Sequence, residues 1–165
     1  MKMMHEQVDF PGRSTVKVKW REMPYFTFPW HFHNEIELLY VMEGFGTSFV
    51  ADDIQKFQAG DLVLLGSNLP HFWRSDESYL DNKGTLKVKY LVIQFPNDFF
   101  KDQILNYPEF RLIGELFDRS SRGIRFSPEI TQNVSKKIIK INKTKGLKRI
   151  LLLLETLQIL AQTDE

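Results

Sequence analysis

The hydrophobic period of this chain changes near Pro96, and that change limits the folds the chain can adopt. Before Pro96, apolar residues come in short runs separated by turn residues such as Asp52-Asp53 and Ala59-Gly60-Asp61. Many short strands at such spacing are typical of a β-sandwich or β-barrel. After Pro96, apolar residues recur at the helical period. The sequence therefore predicts a mainly β fold in which the strands come first and α-helices follow.

Length and composition fit one folded domain with a helical appendage. The chain has 165 residues, of which 42% are hydrophobic and 26% are charged. These values are ordinary for a soluble globular protein and allow a real core. We expect a β-barrel over residues 1–97 and a helical segment over residues 98–165 that packs on it. In that segment, Ser127-Pro128-Glu129 has the N-cap, the proline and the acid that begin a helix.

Several classes of function are excluded by what the sequence lacks. The chain has no Cys, which excludes disulfide scaffolds, cysteine-ligated zinc and thiol catalysis. The net charge of +1 excludes a chain that is basic throughout, as many small nucleic-acid binders are. Residues 1–10 have no apolar stretch that suggests a signal peptide, and the longest apolar run, 150–154, is too short to span a membrane. We therefore expect a cytoplasmic location and no membrane partner.

The residues most informative about function are histidines and glutamates at odd-numbered positions. In an extended chain, His31, His33, Glu35 and Glu37 point to one face. With His71 as a third imidazole, they could hold one divalent metal, such as zinc, nickel, iron, manganese or copper. The same residues are also explained as buried histidines bonded to a glutamate, or as side chains that grip a ligand without metal.

Aromatic residues flank these histidines and divide by parity. Trp30, Phe32 and Tyr40 have even numbers, so we expect them on the opposite face, packed under the helices. Trp73 shares the parity of His71 and is therefore the aromatic residue expected in a ligand pocket.

Two spacings in the sequence resemble the two motifs of the cupin family. The run His31-x-His33-x3-Glu37-x6-Gly44 resembles the first motif, and Gly60-Asp61-x4-Gly66-x-Asn68-x2-His71 resembles the second. The resemblance implies a jelly-roll barrel. It also implies that the metal-ligand positions of metal cupins are filled at His31, His33, Glu37 and His71.

The chain departs from the usual cupin pattern at both motifs. Tyr25 stands where the first motif usually begins with Gly, and Ser75 stands where the second usually ends with Asn. Gly66 and Asn68 stand where Pro and Gly are usual. The stretches PWHFHNEIELLYVMEGFGTSFV and QAGDLVLLGSNLPHFW are most similar to the sensor domain of AraC-type transcription regulators.

The AraC-type resemblance implies a sensor rather than an enzyme. In such domains a small molecule, often a sugar, binds inside the barrel, and helices behind the barrel form a homodimer. It also implies a DNA-binding half with two helix-turn-helix units, which needs about 100 further residues and is not present in this chain. We therefore expect DNA contact only through that absent half. The alternative is a stand-alone metal-dependent cupin enzyme of the isomerase or dioxygenase type.

The last helix carries the predicted dimer interface. The helix is apolar nearly all round between residues 150 and 160, so it must bury more than one face. The predicted interface residues are Ile150, Leu151, Leu154, Leu157 and Ala161. The predicted ligand-binding residues are His31, His33, Glu37, His71 and Trp73.

Overall fold

Two five-stranded sheets make up the β part of the fold. The computed structural model describes residues 3–10, 12, 14–81, 84–99 and 106–163. The front sheet consists, in spatial order, of β1 (Met4–His5), β3 (His31–Phe32), β8 (His71–Ser75), β5 (Gly46–Val50) and β6 (Asp53–Phe57). The back sheet consists of β10 (Ile124–Phe126), β7 (Leu62–Leu65), β4 (Ile36–Glu43), β9 (Val88–Phe95) and β2 (Lys17–Met23). Neighbouring strands are antiparallel except β1 and β3. The predicted jelly-roll barrel is confirmed.

Helices follow the strands, as the change of period predicts. They are a short α1 (Ser78–Asp81), a 3-10 turn (Pro108–Phe110), α2 (Arg111–Ser120), α3 (Pro128–Lys143) and α4 (Gly146–Ala161). The start of α3 follows the sequence signal, because Ser127 is the N-cap and its side chain accepts a hydrogen bond from the backbone of Ile130. In the described part of the chain, no helix combines the length and the apolar character that a membrane span requires.

One strand lies inside the segment that the sequence predicts as helical. Ile124–Phe126 forms β10 and pairs with β7, so the segment after residue 98 completes the back sheet as well as covering it. Arg125 reinforces this connection, because its guanidinium contacts Asp61 and donates to the Ser48 hydroxyl of the front sheet at 2.9 Å. Three residues are too few for a period to be recognised, which is why this strand escapes the sequence analysis.

The two faces of the back sheet belong to two separate cores. The helix core lies between the outer face of this sheet and α2, α3 and α4; it contains Leu38, Leu64, Ile93, Ile138 and Leu153, among others. The barrel core lies between the two sheets; it contains Leu39, Val41, Phe57, Val63, Leu65, Leu69, Trp73 and Val92. The period-2 alternation along β4, β7 and β9 sends successive side chains to these two cores in turn.

The prediction for the flanking aromatic residues holds for only one of them. Tyr40 packs against the helix core, as expected. Trp30 instead contacts Phe72 of the front sheet, with ring centroids 5.1 Å apart. Phe32 stacks on His5. The chain crosses from the front sheet to the back sheet between β3 and β4. Side chains that point inward lie inside the barrel on both sheets. Side chains that point outward meet the helices only on the back sheet, after the crossing.

Candidate functional site

Three histidines converge inside the barrel, and each ring is aimed by a backbone carbonyl two residues away. The Nδ1 of His31 donates to the Pro29 oxygen at 2.9 Å, and the Nδ1 of His71 donates to the Leu69 oxygen at 2.8 Å. The Nδ1 of His33 lies 3.1 Å from the carbonyl oxygen of Glu35. Since a carbonyl oxygen only accepts, each Nδ1 carries the proton, and each Nε2 is left to face the interior.

Glu37 connects the histidines. Its side chain is buried, with Oε2 3.0 Å from His33 Nε2 and Oε1 3.7 Å from His71 Nε2. Glu35, the other predicted acid, approaches only the opposite nitrogen of His33, at 3.7 Å, and is partly exposed. Parity therefore identifies the correct inner face, but only Glu37 lies among the three rings.

Gln94 is a buried part of this cluster that the sequence analysis missed. Its Nε2 donates to Glu37 Oε2 at 2.8 Å and lies 3.3 Å from His33 Nε2, while its Oε1 has no hydrogen-bond partner among the described residues. The available signal was a single amide in the otherwise apolar run Leu91–Phe95. A lone polar side chain in a buried strand needs a partner, and the first motif supplies it through Glu37 and His33.

The left-handed backbone of Asn68 connects the two sequence motifs. Asn68 has φ 60°, a conformation that asparagine tolerates better than most residues. Its backbone N–H donates to the His33 carbonyl at 2.7 Å. Asparagine at a place where the family usually has Gly therefore preserves the turn. Ser75, another departure from the usual pattern, accepts a hydrogen bond from the Phe26 backbone through its hydroxyl at 3.0 Å.

The electrostatics of the cluster separate its histidines into two kinds. Burial lowers the pKa of His71 to about 4 and also lowers the pKa of His31, and in both cases the Glu37 charge opposes the shift. Burial disfavours the charged form of His33 too, but its hydrogen bond to Glu37 and the negative charges of Glu37, Glu6 and Glu35 together outweigh this and raise its pKa. Burial alone would raise the pKa of Glu37, but the bond from His33 and the charges of the histidines lower it to about 2. Among the three histidines, the charged form is therefore favoured at His33, beside Glu37, and disfavoured at His31 and His71.

A cavity of about 110 Å³ opens beside this cluster. Of the predicted residues, His31, Glu37, His71 and Trp73 line it, and His33 lies behind Glu37. The other lining residues are Glu6, Lys19, Arg21, Phe26, Phe28, Leu39, Phe72, Tyr90 and Val92. The cavity thus has a polar end at the imidazoles and an apolar middle. Its other charged lining groups are Lys19 and Arg21 of β2 and Glu6 near the N-terminus.

The N-terminal arm, residues 3–10, contributes one wall of this site. Met4–His5 pairs in parallel with β3. The carboxylate of Glu6 then lies 2.9 Å from Lys19 Nζ and 3.6 Å from His31 Nε2. The sequence offered no pattern from which this contact could be predicted.

The three rings fit a divalent cation. One nitrogen from each of His31, His33 and His71 lies within 4.8 Å of the others. The Nε2 of His71 is buried without a hydrogen-bond partner among the described residues, which is costly unless a cation or a ligand atom meets it. Metal-binding histidines are usually held, as here, through the proton on the other ring nitrogen. The three imidazoles therefore form a donor set that suits a divalent cation, and the Glu37 carboxylate lies beside two of them.

The residues predicted for a dimer interface have different surroundings within the chain. Leu151 is 51% exposed, and Ile150 and Leu154 are partly buried. Leu157 and Ala161 are buried in the helix core of the same chain. The exposed apolar surface of α4 consists of Leu147, which is 69% exposed, and Leu151.

Comparisons with known proteins give one family and several similar folds. A cupin protein from Bacteroides fragilis shares 15% identity over 54% of this chain and 72% of its own, with a TM-score of 0.44. ToxT from Vibrio cholerae shares 11% over 76% of this chain and 48% of its own, with a TM-score of 0.49. The oxalate decarboxylase of Bacillus subtilis, which has Mn(II) centres, shares 18% over 63% of this chain and 29% of its own, with a TM-score of 0.41. The comparison with curated proteins found no match.

The family match covers most of the chain. The AraC-like ligand binding domain matches residues 21–136. This range includes both histidine motifs, Gln94, most of the back sheet and the first half of α3. It therefore spans both the barrel and part of the helical cover, and the chain belongs to the family of AraC-like ligand binding domains.

Proposed function

We propose that the chain is the effector-sensing domain of an AraC-type transcription regulator that acts in the cytoplasm. The observation that carries this proposal is the cavity of about 110 Å³ beside His31, Glu37 and His71. Concave sites with an apolar lining and a few convergent polar groups are typical small-molecule sites. DNA contact would come through a helix-turn-helix half outside this chain, as the family resemblance implies.

An effector in this cavity would meet His31, His71 and Trp73 directly, while His33 and Gln94 hold the Glu37 carboxylate in place. It would also contact the arm, through Glu6. Ligand binding favours whichever arrangement of the arm and barrel gives it more contacts, and this difference in affinity is what a sensor transmits. A sugar is the effector class that the resemblance suggests.

A divalent cation such as zinc, nickel, iron or manganese would be held by His31, His33 and His71, with Glu37 as fourth ligand. When bound, it would supply a Lewis-acidic attachment point for an effector oxygen. The buried and unpartnered His71 Nε2 supports this assignment. The site suits a sensor with or without metal, because a hydrogen-bond donor group of an effector could also bind the unpartnered His71 Nε2.

A metal-dependent cupin enzyme is the second candidate function. The cluster of three buried histidines favours it, because such a set leaves coordination positions for substrate. In that case, His31, His33, His71 and Glu37 would hold the metal, and the cavity would hold a substrate that is converted rather than an effector that is retained.

Metal analysis with paired variants separates the two candidates. His71→Ala and His33→Ala remove cluster nitrogens, and His5→Ala is the control, because His5 is exposed and outside the cluster. Metal content and melting temperature are measured for each, together with the fate of any metabolite that stabilises the wild type. A sensor returns that metabolite unchanged, and its stabilisation is lost in His71→Ala. Conversion of the metabolite, lost together with metal in both variants, would establish the enzyme instead.

The homodimer is proposed to form through α4. Leu151→Lys places a charge on the exposed apolar surface and should give a monomer while the free energy of unfolding changes by about 0.5 kcal/mol or less. Light scattering after size-exclusion chromatography measures the mass, with Leu80→Lys as the control at an exposed leucine on α1. A wild type that is monomeric at all concentrations contradicts the proposal.

A further inference from the structure

Strand β2, at one edge of the back sheet, turns basic side chains toward the barrel interior. Val18 packs against the helix core, so its neighbours at odd positions face the other way. Lys19 and Arg21 accordingly line the cavity. Lys19 is partly buried and paired, whereas Arg21 is exposed, so the two cations lie at the solvent-facing rim of the cavity.

The register of the back sheet places these cations at the ends of apolar rows. Lys19 lies beside Val92, which lies beside Leu39 on β4. Arg21 lies beside Tyr90, which lies beside Val41. The inner surface therefore runs from an apolar floor to a cationic rim. Such a surface suits a molecule with an apolar body and a negatively charged end.

The chain itself supplies an anion at this rim. The Glu6 carboxylate bonds Lys19 at 2.9 Å, and its side chain is only 13% exposed. Arg21 has no carboxylate partner among the residues that the structure describes. One cation of the pair is thus matched by a carboxylate from the arm, and the other is open to a ligand.

We infer that the effector is a small organic anion, whose oxyanion is bound by Lys19 and Arg21 and whose apolar body lies on Phe26, Leu39 and Val92. This inference rests on the proposed sensor function and names the ligand class for its cavity. A carboxylate and a phosphate share the chemistry that these cations recognise. A neutral sugar fits less well, because its hydroxyls would be left without partners along the apolar rows.

The test uses matched probes that differ in charge. The anionic probes are hexanoate, benzoate and phenyl phosphate; the neutral ones are hexanamide, benzamide, arabinose and glucose. Melting temperature and titration calorimetry at low salt report binding. At least one anion should bind while its neutral analogue does not. Lys19→Met and Arg21→Met should each weaken it by about 10-fold or more, the effect of losing a hydrogen bond to a charged group.

Two further variants test the geometry. Glu6→Gln removes the internal carboxylate at nearly constant size, so it should strengthen anion binding several-fold. Lys87→Met is the control. It breaks an ion pair with Glu22, which lies on β2 like Lys19 and Arg21, but Lys87 itself does not line the cavity. It should leave the affinity unchanged. A cooperative melting transition in each variant verifies that it is folded.

Three results would overturn the inference. The first is that no anionic probe raises the melting temperature at millimolar concentration. Stabilisation by arabinose or glucose that survives Lys19→Met and Arg21→Met is another, and it leaves the sensor proposal intact. The third result is that Lys19→Met and Arg21→Met bind anions with wild-type affinity but aggregate where the wild type does not. The two cations would then serve only to prevent edge-to-edge pairing of β2 with another sheet. Conversion of a bound anion to product would instead overturn the sensor proposal and retain the anion site.

Discussion

The back sheet has two faces with opposite chemistry, although the same strands build both. Its outer face meets the helices in a core of aliphatic and aromatic side chains, with residues such as Leu38 and Ile138 fully buried. Its inner face mixes apolar residues with the buried Glu37 and Gln94. Apolar burial stabilises a fold without regard to direction, whereas buried polar groups require specific partners. The comparison teaches that stability and recognition are divided between the two sides of one sheet.

The largest effect should come from the helix core. Leu153 is fully buried on α4, and Leu153→Ala should lower the free energy of unfolding by about 2–5 kcal/mol through the lost burial and the cavity left behind. Urea denaturation measures this. The control is Leu151→Ala on the exposed side of the same helix, for which a change within about 0.5 kcal/mol is expected. Separate transitions for helices and sheets in the Leu153 variant would show that the two cores do not unfold together.

The barrel core should make stability depend on pH. The unfolded chain takes up protons at its histidines near pH 6.5, whereas folded His71 stays neutral down to about pH 4. Over that window the unfolded state binds more protons, so stability falls as pH falls, by up to about 3 kcal/mol from this residue. Glu37 acts mainly below this window, because its pKa is lowered to about 2, and His33 acts above it, because its pKa is raised. His31, whose pKa burial also lowers, adds to the fall within the window.

His71→Gln should flatten this profile, and Leu153→Ala should shift it downward without changing its slope. Urea denaturation between pH 4 and 7 with a chelator present gives both profiles. A wild-type profile with no slope, or equal slopes in wild type and His71→Gln, would contradict the assignment of the pH dependence to the barrel core.

The smallest effect should come from the turn that connects the two motifs. Asn68→Ala puts an alanine at φ 60° and should destabilise by about 1 kcal/mol, whereas Asn68→Gly should change stability by a few tenths. Denaturant midpoints of the two variants measure the difference. If Ala and Gly give the same midpoint, the left-handed turn does not constrain His33, and the inner face owes its order to the side-chain contacts alone.

The sequence predicted the elements that depend on a period and the residues that depend on parity. The strand-to-helix order follows from the period, and the shared inward direction of His31, His33 and Glu37 follows from alternation. His71 is placed with them by the resemblance to the cupin motifs. The outer aromatic residues do not follow this rule, since the two sheets have different neighbours. Trp30 is therefore found away from the helices.

The missed features are those that depend on distance in space. β10 is too short for a pattern, and the Glu6–Lys19 pair joins an irregular arm to a strand edge. Gln94 is recognised only when β4 and β9 are placed side by side, which brings it opposite Glu37. Register between distant strands is not contained in the local alternation of either strand.

The aiming of each histidine by a carbonyl two residues away has a consequence for how this site can diversify. The rings take their direction from Pro29, Glu35 and Leu69, all in the immediate neighbourhood along the chain. Phe28, Phe72 and Trp73 beside the histidines form part of the cavity wall, but much of the rest comes from β2, β9 and the arm, which are distant along the chain. Substitutions on those walls leave the imidazoles pointing as before. One fixed set of nitrogens can thus be combined with many linings, and descendants of such a chain can change what they detect without rebuilding what anchors it.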